Sequence, residues 1–221
     1  DRLPQRDHQV LPEGPRAHAL GRVIIVGYGR FGQSVAQMLA ARGVHMTLID
    51  TKPAQIELTG RFGVRVYYGD GGRVDVLRAA GAERAQAIIW CADRALDAAT
   101  IERIRTAFPH VAIAARAFDR RHWIALREAD VDVAVRELFD GAVRLGREAL
   151  RLVGSDDDTI DAIDEEFRRR DAERLALQLA SRDLMVGRDM MFRADNPWVT
   201  DGLGEIPFVP PSPPRESAEQ S

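Results

Sequence analysis

The chain has 221 residues, enough for one full hydrophobic core and a smaller appendage. Its 45% hydrophobic and 29% charged composition is that of an ordinary folded chain, and a formal net charge of -3 with a pI near 6.0 supplies no electrostatic pull toward nucleic acid. The single cysteine, Cys91, excludes an internal disulfide and any multi-cysteine metal site, so no metal is expected and a reducing compartment is. Lys52 is the sole lysine among 31 Lys and Arg residues, a bias that reads as codon usage of a GC-rich genome and not as a recognition surface. No stretch approaches the ~20 apolar residues that cross a bilayer, and the first residues lack the apolar centre of a signal peptide.

Residues 1–20 mix Pro, Gly, His and charges without periodicity and read as a linker from something upstream. From residue 21 short β-branched runs alternate with longer amphipathic segments. The strands are expected at 23–26, 45–49, 64–67, 87–90, 111–115 and 131–135, and the helices between them at 31–41, 54–61, 74–80, 96–108 and 120–129. Gly43, Gly63 and Gly81 stand where three of these helices stop. Right-handed crossovers leave one sensible arrangement for such a repeat. It is an α/β fold, a Rossmann-type doubly wound six-stranded parallel sheet of order 3-2-1-4-5-6, with a ligand crevice at the carboxyl ends of strands 1 and 4.

A crossover helix is expected over 137–152, with apolar residues at Leu138, Ala142, Leu145 and Leu150 and a stop at Gly154. Ser155 and the acids Asp156, Asp157 and Asp158 then open a charged peripheral helix that runs to about residue 180. From Asn196 onward the prolines preclude strand or helix, and disorder is expected beyond Val209. The expected division is therefore a linker at 1–20, a nucleotide-binding domain at 21–136, crossover and peripheral helices at 137–195 and a Pro-rich tail at 196–221.

The candidate site starts with Gly27-Tyr28-Gly29-Arg30-Phe31-Gly32, a G-x-G-x-x-G placed directly after a strand and at the opening of a helix. Gly27 permits the tight turn, Gly29 lets backbone approach a pyrophosphate and Gly32 allows close helix packing, while the free amides and the helix dipole attract the anion. Asp50 closes strand 2, where a carboxylate accepts hydrogen bonds from both ribose hydroxyls and repels a 2'-phosphate. Thr51 and Lys52 adjoin it. Gly69 and Asp70 follow strand 3, Ala92 and Asp93 follow strand 4, and Arg116 ends strand 5, all on the ligand-bearing edge. Asp70 and Asp93 either touch the nucleoside or cap the helices that follow them; Arg116 either reaches the phosphates or joins a surface ion pair. The pattern favours NAD(H), AMP or another adenine nucleotide over NADP.

Catalytic residues are not evident. No nucleophile elbow, HExxH or paired-histidine site occurs, and the residues after strand 6 are too few for a substrate domain. His45, His110 and His122 read as structural or exposed, and Cys91 as a small packed hydrophobe.

Four segments in order, VIIVGYGRFGQ, FGVRVYYGD, FPHVAIAARAFDRRHWIALREADVD and RELFDGAVRLGREAL, carry a resemblance to the RCK (TrkA-N) domain of the glutathione-gated potassium-efflux antiporters of the Kef type, over residues 22–180. The resemblance implies a regulatory domain, not an enzyme, joined through residues 1–20 to a membrane cation:proton antiporter domain at the cytoplasmic face of the bacterial inner membrane. It further implies a homodimer through residues 137–152, a nucleotide on the glycine loop, and Arg136, at the start of the crossover helix, as part of a glutathione-like second site. Gln37 and Asp171 depart from that second site, standing where the family has an arginine and an asparagine. The alternative readings are an NAD-dependent oxidoreductase, a stand-alone TrkA-like subunit of a separate channel, and a degenerate Rossmann domain that serves only assembly.

Overall fold

Runs of β-branched and other apolar residues form the strands β1 (Arg22–Val26), β2 (His45–Asp50), β3 (Arg65–Tyr68), β4 (Ala87–Trp90), β5 (Ala112–Ala117) and β6 (Val133–Arg136) of a computed structural model that describes residues 22–52 and 65–191. They make one six-stranded parallel sheet in the order β3-β2-β1-β4-β5-β6, as expected for a Rossmann-type fold. The register sets Ile25 of β1 between Leu48 of β2 and Ile89 of β4. Strands buried on both faces need apolar side chains in succession, not alternation, and Ile24, Ile25 and Val26 are all buried.

The helices are α1 (Arg30–Ala41), α2 (Val74–Ala79), α3 (Ala98–Ala107), α4 (Arg120–Glu128), α5 (Phe139–Leu152) and α6 (Asp157–Ser181). The chain separates into two compact units. Among the described residues the first comprises 22–52, 65–117 and 125–135, and the second 118–124 and 136–191. In the first unit α1 lays Phe31, Val35, Ala36 and Leu39, at helical spacing, on a core of Ile25, Leu48 and Cys91. Full burial of a side chain such as Ile25 or Leu48 contributes about 1.5–3 kcal/mol each. In the second unit α5 packs on α6, with Phe139 stacked on Phe167 at a centroid distance of 5.9 Å and Val143, Ile160 and Leu175 buried.

Several element ends differ from expectation, and aspartate side chains account for three of the starts. Asp97 accepts the Thr100 N–H at 2.7 Å and starts α3 at Ala98, so Leu96 is buried in a loop instead of opening the helix. The Asp132 carboxylate takes the Ile113 N–H at 2.6 Å at the entry to β6, which begins at Val133 and not at 131. Of the group expected to open α6, Asp156 is the residue that caps it, through the Thr159 N–H at 2.8 Å, and the helix begins at Asp157. β5 runs on to Ala117, which places Arg116 within the strand. Arg136 is the last residue of β6, and α5 starts only at Phe139. The helix expected at 54–61, residue 64 of the third strand, the linker at 1–20 and the tail from 196 lie outside the described residues. Among the described residues no helix is long and apolar enough to cross a membrane, and no group of His, Cys, Asp and Glu is placed to hold a metal ion.

Candidate functional site

The turn from β1 into α1 is built by glycines with different duties. Gly27 has φ +91° and donates its N–H to the Ile49 carbonyl at 2.8 Å; a Cβ there would lie 2.4 Å from the Ala92 backbone. Gly32 is buried where a Cβ would meet the Gly27 carbonyl oxygen at 2.1 Å, so helix and loop touch only because it has no side chain. Gly29 is another matter. Its φ is -71°, which any residue adopts, and among the described residues nothing beyond its chain neighbours lies within 4 Å of where its Cβ would be. It stands at the N-cap of α1, no side chain caps that end, and no acid occupies the first turn. An open approach and amides without a side-chain acceptor fit a phosphate.

Asp50, at the end of β2, is 8% exposed. One oxygen accepts the Tyr28 N–H at 2.7 Å, the other accepts the Lys52 N–H at 2.7 Å, and its carbonyl accepts the Gly69 N–H at 3.0 Å. The residue thus ties the glycine loop, the Thr51-Lys52 turn and the end of β3 together. A carboxylate has about four acceptor positions, so each oxygen retains capacity for a ribose hydroxyl. Gln33, which sequence reasoning missed, braces the loop from α1 by donating to the Tyr28 carbonyl at 3.2 Å.

A second tier of charge surrounds these groups. Arg116 is buried, donates to the Ala92 carbonyl at 2.8 Å and to Asp93 at 3.1 Å, and carries its guanidinium 5.4 Å from the centre of the Phe31 ring. Arg116 thus joins an ion pair, as one reading of the sequence had it, but as a buried arginine on an exposed aspartate and not as a surface group. Asp93 also meets the Lys52 ammonium at 3.4 Å, and the hydrogen bond from Arg116, reinforced by that from Lys52, holds its carboxyl below the usual carboxylate range. Asp70 accepts the Gly72 N–H at 2.8 Å and a guanidinium N–H of Arg94 at 2.7 Å. Arg94, also missed, lies over Trp90, whose indole N–H donates to the Arg94 carbonyl at 2.8 Å. Neither aspartate caps a helix: Arg73 stands at the N-cap of α2 and Asp97 at that of α3. Cys91 is buried beneath the loop, and that burial pushes its thiol up to about 11.

Arg136 belongs to the second unit and the glycine loop to the first. Both it and Arg120 donate to the carboxylate of Asp171; Arg120 also donates to Gln178 at 3.3 Å, and the Arg136 guanidinium sits 3.8 Å from the centre of the Phe139 ring. Asp171 is thus the shared counter-ion of two arginines. Gln37 is exposed on α1. Of the histidines, His45 and His110 are exposed, while His122 accepts the Phe118 N–H at 3.3 Å and stacks on that ring.

Against this geometry, the model of the TrkA-N domain family matches residues 23–137. The glutathione-regulated potassium-efflux system protein KefC of Salmonella agona (strain SL483) is 43% identical over 134 residues, which is 60% of this chain and 22% of that protein. A glutathione-regulated potassium-efflux system protein of Haemophilus influenzae is 40% identical over 157 residues, 69% of this chain and 25% of that protein. The chain therefore spans about a quarter of the length of the curated relatives it matches. Among solved structures, the Shewanella denitrificans Kef CTD in AMP-bound form is 37% identical with a TM-score of 0.64, covering 72% of this chain and 98% of that one. With the sheet order, the glycine loop and a family match over more than half its length, the chain belongs to the TrkA-N domain family and is homologous to the Kef potassium-efflux proteins.

Proposed function

We propose that this chain is the nucleotide-sensing regulatory domain of a Kef-type potassium:proton antiporter, held at the cytoplasmic face of the bacterial inner membrane, with AMP or NAD(H) as its ligand. One observation carries the reading: neither its backbone angles nor any described residue beyond its chain neighbours requires Gly29 to be glycine, and it opens a helix without a side-chain cap in the same layer as the buried Asp50. In the proposed complex the α1 amides and Arg30 take the phosphate and Asp50 takes the ribose hydroxyls. Gly69, Asp70, Ala92, Asp93 and Arg116 line the rest of the crevice. The AMP bound by the Shewanella domain supports this assignment, and the names of the potassium-efflux relatives support the transporter.

The signal is passed on by a pair of such domains. At the N-cap of α5 and along it, Leu138, Ala142, Leu145, Ala149 and Leu152 recur at intervals of four and three and are all exposed, the leucines at 69%, 71% and 83%. That heptad stripe is the pattern of a helix that buries one face against another helix, and a second copy of the chain is the proposed occupant. Ligand binding then biases the transporter by favouring one dimer geometry over another.

Gly29→Ala tests the nucleotide reading. The substituted Cβ meets no described residue beyond its chain neighbours, so the fold is expected to survive with a melting temperature lowered by a few degrees at most, the cost of a poorer N-cap, while a phosphate held by backbone amides is displaced and AMP affinity in calorimetry falls roughly 10- to 100-fold. Unchanged AMP and NADH affinity in this variant would remove the phosphate from the loop and the proposal with it.

A further inference from the structure

The charges around the crevice are matched in a particular way. Lys52, from the turn after β2, and Arg116, from β5, both end on Asp93, at 3.4 Å and 3.1 Å. Arg94, from the loop after β4, ends on Asp70 at 2.7 Å. Lys52 belongs to the ribose end, because its own N–H donates to the Asp50 carboxylate. Arg116 belongs to the phosphate end, because its guanidinium lies over Phe31 in the first turn of α1. The Asp93 carboxylate, 75% exposed, therefore bridges the two ends of the crevice.

Resting on the nucleotide reading above, we infer that Asp93 sets the charge of the nucleotide this site accepts. By engaging the ammonium of Lys52 and the guanidinium of Arg116 it withdraws both cations from phosphate binding and places a negative charge where further phosphates would extend. What remains for the ligand is the end of α1 with its amides and the exposed Arg30. Helix amides and one guanidinium match the charge of a nucleoside monophosphate or of a dinucleotide's pyrophosphate. A nucleoside triphosphate brings added negative charge that meets Asp93, and like charges placed together suppress binding of the wrong partner. The crevice selects for low ligand charge, not only for adenosine.

Calorimetry of AMP and ATP, without divalent metal, on the intact chain and on Asp93→Asn tests this. The wild-type chain is expected to bind AMP more tightly than ATP. Asp93→Asn keeps the shape, removes the negative charge and loosens the hold on Lys52, while Arg116 keeps its bond to the Ala92 carbonyl, and is expected to raise the affinity for ATP relative to AMP roughly five- to tenfold. Lys52→Gln moves the balance the other way, weakening ATP further, and in the double variant it cancels part of the gain. Asp93 is exposed, so circular dichroism of the variants should match wild type; were Asp93→Asn not to fold, the Lys52→Gln arm decides alone. An unaltered AMP:ATP ratio in both variants, or equal losses for both nucleotides that mark Asp93 as a direct adenosine ligand, overturns the inference and leaves nucleotide binding intact. Absence of binding of either nucleotide to the wild-type chain overturns the underlying reading as well.

Discussion

Asp50 performs a structural and a ligand-facing task with the same two oxygens, and the tasks respond differently to substitution. Its carboxylate accepts two backbone N–H groups, from Tyr28 and Lys52, in a buried setting. In Asp50→Asn one oxygen still accepts an amide, but the new NH2 confronts the other N–H. A buried donor without an acceptor costs about 1–3 kcal/mol, so the melting temperature should fall by several degrees as well as AMP binding being lost. Asp50→Glu, with retained charge but a longer arm, should lose less stability; equal melting of Asp50→Asn and wild type would show that the amides do not depend on the carboxylate. Cys91 gives a separate check on the same layer. With its thiol raised to about 11 by burial, it stays protonated at pH 8, so iodoacetamide should label it only after unfolding; fast labelling of the native chain would contradict the packing under the loop. These residues were legible from sequence because glycine spacing and an acid at a strand end encode their places. Arg94 and the tie from Asp93 to two cations were not, because partners 23, 24 or 41 residues away leave no periodic trace, and Gln33 was not, because a side chain that turns back to a carbonyl five residues earlier carries no motif.

At the scale of elements, α5 and α6 solve different problems. α5 buries Val143 and leaves a leucine stripe exposed, so Leu145→Glu should leave its helicity intact while placing two carboxylates in the proposed dimer seam. The dimer dissociation constant, read by sedimentation, should rise roughly 100-fold or more, since two buried leucines and their packing are lost; an unchanged sedimentation profile would release α5 from that role. α6 is instead laced by ion pairs. Glu166 accepts from Arg169 and Arg170, and those hydrogen bonds hold its carboxyl down at about 2. A carboxyl whose folded pKa lies below its unfolded value of about 4.3 stabilises fully above that value, and the contribution is lost as pH falls toward 2. Helical signal should thus decline between about pH 4.5 and 2, and Glu166→Gln should remove part of that decline while lowering helicity at pH 7. A titration identical in both proteins would mean the pairs are ornament. The existence and order of the helices could be read from periodicity; the exact starts of α3, β6 and α6 could not, since Asp97, Asp132 and Asp156 each take one backbone N–H at these starts.

For the whole molecule, the sheet order was legible because right-handed crossovers leave little choice once strands and helices alternate. The shared counter-ion at Asp171 was not, as it joins α4, β6 and α6 through side chains alone. The regulatory reading makes a demand that neither part can meet separately. The glycine loop lies in the first unit and the α5 stripe in the second, and the chain passes from one unit to the other at 117/118, 124/125 and 135/136, the last of these within β6. If nucleotide and partner copy act on one equilibrium, linkage requires each to alter the other's affinity by the same factor. Saturating AMP should therefore shift the dimer dissociation constant by a factor of roughly five or more, and the AMP affinity of a concentrated dimeric sample should differ from that of a dilute monomeric one by that same factor. Leu145→Glu should abolish the concentration dependence and leave the monomer's AMP affinity. Two affinities that ignore each other would describe a domain that binds a nucleotide and a domain that pairs, but not a gate.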